Sequence, residues 1–129
     1  MADRASRLAA RKARGTAARL SGRRQEIVAA LLLMLKGYRI LGFRLKTPEG
    51  EIDLLAQRGD TLAVVEVKSR TTLQAALEAV GPTQRQRLKR AARAIAARRP
   101  KQPNVRLDLV ALAPGAWPRH IPDAWREDG

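Results

Sequence analysis

Between Ser21-Gly22 and Gly37 runs a stretch dense in Leu and Ala, with the unbroken apolar segment Ile27 to Leu35 inside it. This pattern predicts a helix over Arg23–Lys36, closed by Gly37 where a C-cap glycine belongs. Leu31, Leu32, Leu33, Met34 and Leu35 surround the axis, so the second half is expected to be buried on nearly every side. Tyr38 to Thr47 then reads as a strand, Pro48-Glu49-Gly50 as a turn, and Glu51 to Gln57 as a second strand. Arg58-Gly59-Asp60 is a hairpin turn leading to a third strand, Thr61 to Lys68, and turn chemistry explains this tripeptide without an adhesion role. A polar segment from Ser69 holds a short helical piece around Ala75 to Val80. Pro82 and Thr83 start a long helix to about Arg99, with Thr83 and Gln86 at capping-box spacing and Pro100 ending the run. Val105 to Ala113 is a fourth strand, and His120-Ile121 a short fifth in a Pro-rich tail. The fold class is α/β, a mixed sheet flanked by helices in the order α-β-β-β-α-β, with no internal repeat.

The third strand carries apolar residues on both faces: Leu62 and Val64 on one, Ala63, Val65 and Val67 on the other. It is therefore expected to be central. Glu66 and Lys68 nevertheless fall on the face of Leu62 and Val64, at the strand's C-terminal end. A buried carboxylate costs several kcal/mol unless it is paired or bound to metal. On the second strand Glu51 and Asp53 alternate with Ile52 and Leu54, which puts both acids on one face. Counting outward from the tight hairpin places Asp53 roughly opposite Glu66 or Lys68. Two readings stand. In one, Glu66 and Lys68 pair with each other and Asp53 meets an arginine. In the other, Asp53 and Glu66 share one cation, with Lys68 beside them. Oxygen ligands without His or Cys select a hard ion, Mg²⁺ or Mn²⁺, over zinc. An ammonium beside such an ion suits hydrolysis of a phosphodiester.

Composition narrows the field. The chain has 129 residues, one domain's worth, with 26 Lys+Arg against 12 Asp+Glu, one His and no Cys. The missing Cys excludes a disulfide framework and any thiolate site, and makes a cytoplasmic location the default expectation. A single His excludes a multi-His zinc site. The longest apolar run is far short of the ~20 residues of a membrane span. A net charge of +14 suits nucleic acid first and an anionic membrane second, although a GC-rich genome also enriches Arg, Ala, Gly and Pro without selection for binding. The four aromatics, Tyr38, Phe43, Trp117 and Trp125, are too few for the stacking platforms of single-strand readers, which points to the phosphate backbone. Residues 1–20 are expected to form a basic arm: they lack the apolar core of a secretory signal and resemble in composition a transit peptide as much as a bacterial tail. Residues 21–129 are expected to form the single folded domain.

The long helix from Thr83 sets Leu88, Ala91, Ala92 and Ile95 at core spacing. Arg85, Arg87, Lys89, Arg90, Arg93, Arg98 and Arg99 cover much of the rest, and no acid occurs from Ala79 to Leu107. A merely solvated helix face normally intersperses acids, so Arg85, Arg87, Lys89 and Arg90 are expected to contact phosphates. Arg70, directly after the Glu-x-Lys strand, is placed to touch the same substrate.

Several motifs in order resemble the YraN family of small bacterial proteins: GEIDLLA (Gly50 to Ala56), VVEVKSR (Val64 to Arg70), EAV (Glu78 to Val80), the basic stretch from Gln84 through Leu88 into Ala91-Ala92, LDLVAL (Leu107 to Leu112) and HIPDAW (His120 to Trp125). The resemblance spans Gly22 to Trp125. It implies a restriction-endonuclease-like fold and a metal-dependent endonuclease cutting DNA rather than RNA, on branched or junction substrates close to those of archaeal Holliday-junction resolvases. The superfamily's Asp…Glu-x-Lys signature falls on Asp53, Glu66 and Lys68. Asp53 and Glu66 would hold Mg²⁺ or Mn²⁺, with the Val67 carbonyl assisting, and Lys68 would orient or activate water. The resolvase-like members add a Glu on the first helix, matched by Glu26, although an acid in an early helical turn is also favoured by the helix dipole. Where family members carry Lys near the start of the second helix this chain has Gln84, which can orient water or contact phosphate. Glu51 either supports Asp53 or is simply solvated. Asp108 is expected to be an inward-facing partner for Arg or Lys, and His120 a surface or packing residue. Cutting two symmetric strands calls for a homodimer.

A non-catalytic nucleic-acid-binding module with a relict site is the alternative reading, motivated by the same basic helix. A basic protein docking on anionic membrane through its arm is a third.

Overall fold

Helix α1 runs through residues 23–35 in the computed structural model, which describes residues 23–125; the basic arm expected over residues 1–20 lies outside them. The helix ends as its glycine foretells. Gly37 adopts φ 91°, the Tyr38 N–H reaches back to the Leu33 carbonyl at 3.0 Å, and the Gly37 N–H reaches that of Met34 at 3.0 Å. These are the paired bonds of a Schellman cap. Strands β1 (Arg39–Thr47), β2 (Gly50–Arg58) and β3 (Thr61–Ser69) follow as an antiparallel meander. Helices α2 (Leu73–Leu77) and α3 (Pro82–Ala97) carry the chain across to β4 (Asn104–Leu112), which pairs parallel with β3, and β5 (Arg119–Ile121) returns antiparallel to β4. The spatial order is β1-β2-β3-β4-β5. The architecture is α/β, a five-stranded mixed sheet flanked by helices and compatible with a restriction-endonuclease-like fold.

The alternation read on β3 sorts the core into two layers. Ala63, Val65 and Val67 pack with Leu54, Ala56, Val110 and Leu112 beneath Ala29, Ala30 and Leu33 of α1. Leu62 and Val64 pack with Ile52, Leu55, Ala91 and Ala92 on the α3 side. Beside them Val80, Leu88 and Leu109 form a smaller cluster with Trp125.

Three expectations are corrected. The second half of α1 is not buried all round: Leu33 is fully enclosed, but Leu31 and Met34 are about half exposed and Leu35 is 88% exposed. A helix on one face of a sheet buries a single stripe, here Glu26, Ala29, Ala30 and Leu33 at the i, i+3, i+4, i+7 spacing. Thr83 does not cap α3 either. The helix starts at Pro82 with Gly81 as N-cap and no side-chain cap bond, because the fixed φ of proline is preorganised for the first helical position. The short helix begins earlier than read because Thr72 caps it, its Oγ1 accepting from the Ala75 N–H at 3.1 Å.

Candidate functional site

β2 and β3 stay in antiparallel register from Arg58↔Thr61 to Leu54↔Val65 and then part. One more step would set Asp53 level with Glu66, one of the two positions that counting from the hairpin allows. At this point a side chain takes over from the ladder: Asp53 Oδ2 accepts the Val67 N–H at 2.8 Å. On its other side β2 remains paired with β1 through Phe43↔Leu54 and Leu45↔Ile52, which leaves Arg44 level with Asp53. Arg44 has φ 49°, a left-handed conformation rare for a bulky side chain. The strand alternation breaks here: Ile52 joins the α3-side cluster together with Leu55, three residues on. The carboxylate of Asp53 thus sits where the sheet splits.

Glu66, 6% exposed, projects into that split from β3. Lys68 Nζ lies 3.4 Å from its Oε1, and Gln84, in the first turn of α3, donates its side-chain amide to the same oxygen at 3.3 Å. Burial first, and then the neighbouring Asp53 carboxylate, push the Glu66 carboxyl up from its ordinary 4.5 to about 7, against the opposing pull of Lys68. Two carboxyls held together in a partly dry site cannot both ionise cheaply without a cation.

The remaining sequence-derived candidates divide. Glu26, 8% exposed on α1, is gripped by Arg44, whose Nε donates to Oε1 at 2.8 Å and to Oε2 at 3.0 Å. It therefore meets the residue level with Asp53, and its bonds go to Arg44 instead of to the Asp53–Glu66 pair. Glu51 is exposed. Arg70 is exposed, its guanidinium donating to the Ser69 carbonyl at 2.7 Å. On α3, Arg85 donates to the Val80 carbonyl at 3.0 Å and faces the Trp125 ring. Arg90 pairs with Glu49 at 3.1 Å, while Arg87 lies against Gly50, whose φ is 130°. Arg87 and Arg90 so fasten the β1–β2 turn to α3, with the acid supplied from outside the helix. Lys89 is half-buried, lining a cavity of about 330 Å³ with Arg93, Asp123 and Trp125.

Sequence reading missed two features. Arg44 carries no sequence signal, since nothing marks a left-handed arginine inside a strand. The second is a buried polar cluster on the α1 side. Asp108, fully enclosed, accepts from Arg106 at 2.8 and 2.9 Å, from the Asp123 N–H at 3.1 Å, and bonds His120 Nε2 at 2.7 Å. Arg106 also bonds the Tyr38 hydroxyl, and Tyr38 meets the His120 ring edge-on at 5.7 Å. Asp108 is an inward partner for Arg as expected. His120, its side chain 2% exposed, is an integral member of the network, and Lys36 Nζ donates to its Nδ1. That bond leaves the Nε2–H to donate to Asp108. Burial alone would raise the Asp108 carboxyl, but His120, Arg106 and the Asp123 N–H outweigh it and hold it below the usual carboxylate range.

The chain matches the uncharacterised protein family UPF0102 over residues 25–112, a span that takes in Glu26, Asp53, Glu66, Lys68 and all of α3. It is similar to the UPF0102 protein of Caulobacter vibrioides (strain NA1000 / CB15N), 68% identical over 117 residues that cover 89% of this chain and 94% of the relative. It is also similar to that of Parvibaculum lavamentivorans, 53% identical over 123 residues covering 92% of each, and to that of Rhizobium meliloti (strain 1021), 48% identical over 102 residues covering 78% and 84%.

Proposed function

The chain belongs to the uncharacterised protein family UPF0102, the YraN family, and from the geometry of its carboxylate cluster we propose that it is a divalent-metal-dependent endonuclease of DNA. The observation that carries this reading is the meeting of Asp53, Glu66 and Lys68 where β2 leaves β3, with Glu66 buried against a second carboxyl. A structural ion pair has no use for two adjacent acids, which cost stability until a cation arrives.

The donor set fits a hard ion. Among the described residues no group of three or more His, Cys, Asp or Glu forms a metal cage. One or two carboxylates, completed by water and substrate phosphate oxygens, is the habit of Mg²⁺. Asp53 and Glu66 would hold Mg²⁺ or Mn²⁺, which supplies Lewis acidity at the scissile phosphate and lowers the pKa of bound water. Lys68 orients the attacking water or donates to a non-bridging phosphate oxygen, steadying the charge that builds as the water oxygen bonds to phosphorus and gives up its proton to solvent, while the bond from phosphorus to the sugar oxygen breaks and that oxygen takes a proton from solvent. Gln84 exchanges its bond to Glu66 for one to phosphate. Glu26 acts through Arg44, which it holds level with Asp53. Arg70, Arg85, Arg87, Lys89 and Arg90 contact the backbone phosphates flanking the cut. Branched or junction DNA is the substrate that the family resemblance suggests, and a homodimer would present two cuts to such a junction.

The test is a panel of supercoiled, linear, flapped and four-way DNA with Mg²⁺ or Mn²⁺. Wild-type protein nicks, and Lys68→Ala and Asp53→Asn lose at least ~100-fold in rate while keeping the wild-type melting temperature within a few degrees. Cleavage at the wild-type rate in both variants refutes the assignment. Binding that falls steeply with salt, with no cleavage and no Mn²⁺-dependent thermal shift, supports the alternative of a non-catalytic nucleic-acid-binding module. No helix among the described residues is long and apolar enough to cross a membrane.

A further inference from the structure

On the α1 side of the sheet a cavity of about 370 Å³ is lined by Arg23, Glu26, Ile27, Phe43 and Arg44, within the range of small-molecule pockets. Consecutive strand residues normally point to opposite faces, yet Phe43 and Arg44 line this one cavity. The left-handed backbone at Arg44 accounts for that. It breaks the alternation and turns the guanidinium back onto the side of Phe43, where Glu26 holds it by two contacts. A conformation of this kind costs about 1–3 kcal/mol and persists only where its surroundings enforce it. Phe43 is left 46% exposed and Ile27 51% exposed, so an aromatic ring and an aliphatic wall face solvent between two guanidinium groups. Arg44 stands level with Asp53 across the β1–β2 pair, while Glu66 lies on the opposite, α3 side of the sheet with Gln84.

We propose that this cavity receives an unstacked nucleobase of the DNA substrate, stacked on Phe43 against Ile27, with the flanking phosphates on Arg23 and Arg44. The inference deepens the nuclease reading and rests on it for the identity of the polymer. Every base has a π-face, so a ring on an apolar wall takes any of them. The flanking guanidiniums match the charge of the adjoining phosphates. The Glu26 carboxylate has lone pairs beyond those Arg44 occupies and accepts from the amino edge of the base. A fully stacked duplex presents no base to such a pocket, whereas a single strand, a flap or a junction does. The pocket thereby selects DNA that carries an unpaired nucleotide.

The experiment measures binding in EDTA, by fluorescence anisotropy, to a single strand and to the blunt duplex of the same sequence. Phe43→Ala is expected to weaken single-strand binding roughly 5- to 100-fold, the loss of one base–aromatic stack, with duplex affinity moved less than about two-fold because duplex binding rests on phosphate contacts. Phe43→Trp restores the single-strand affinity. Should Phe43→Ala not fold, Ile27→Ala reports on the same wall, and a 2-aminopurine strand bound to wild-type protein reports stacking directly by quenching. Unchanged single-strand affinity in the folded variant, or 2-aminopurine fluorescence unaltered on binding, overturns the proposal. Since no divalent metal is present, a missing nuclease activity counts against the catalytic reading alone, and a failed single-strand preference counts against this one alone.

Discussion

Glu66→Gln isolates the electrostatic cost of the site. In the folded protein Glu66 keeps its proton up to about pH 7, against an ordinary value of 4.5. A carboxyl raised in the folded state is penalised wherever the unfolded chain would ionise it. The penalty is absent below pH 4.5, grows as pH rises, and is complete above pH 7. An interval of that size corresponds to about 3 kcal/mol, a large share of the stability of a small domain. Glutamine has nearly the same shape, and its carbonyl oxygen can still accept from Gln84 and Lys68, which lie 3.3 and 3.4 Å from Oε1. Urea denaturation in EDTA from pH 5 to 8.5 is the assay. Glu66→Gln should be more stable than wild type by roughly 2–3 kcal/mol at pH 8, with the advantage shrinking toward zero at pH 5. Adding Mn²⁺ at about 100 times its dissociation constant should then stabilise wild type by about 2.7 kcal/mol and leave Glu66→Gln unmoved. A variant that is less stable at pH 8, or a difference that does not change with pH, would refute the reasoning that Glu66 is held against its own charge.

Asp108→Asn should cost about 3–5 kcal/mol in urea denaturation, because it leaves the Arg106 charge without its buried partner. Since the Asp108 carboxyl is held below its ordinary 3.8, its contribution is complete above that pH and is lost as pH falls through the depressed value; the variant should therefore show a shallower acid limb than wild type. Two leucines two positions apart separate the faces of α1: Leu33→Ala should cost about 2–5 kcal/mol, and Leu35→Lys should move the denaturation midpoint by no more than about 0.5 kcal/mol.

Much of this protein was legible one residue at a time, because its signals are local. Period-two alternation on β3, the closing Gly37, and the tight hairpin at Gly59-Asp60 each depend only on near neighbours, and the hairpin count alone put Asp53 roughly opposite Glu66 or Lys68. Asp53, Glu66 and Lys68 could thus be singled out from sequence as neighbours at one end of the β2–β3 hairpin. The tertiary structure decided what depends on a partner far along the chain. Which side of the Leu31–Leu35 block is covered follows from α1 resting on one face of one sheet. Whether Pro82 or Thr83 begins α3 follows from backbone geometry, which overrode a good capping pattern. The burial of His120 follows from β5 returning beside β4 to bring it to Asp108. Arg44 is the clearest case: no residue type announces a left-handed turn inside a strand, and the conformation exists only because Glu26 and the parting of β2 from β3 hold it there. Sequence specifies which groups can do chemistry, whereas the three-dimensional fold sets which of them share a solvent-poor space, and therefore which charges are costly to hold.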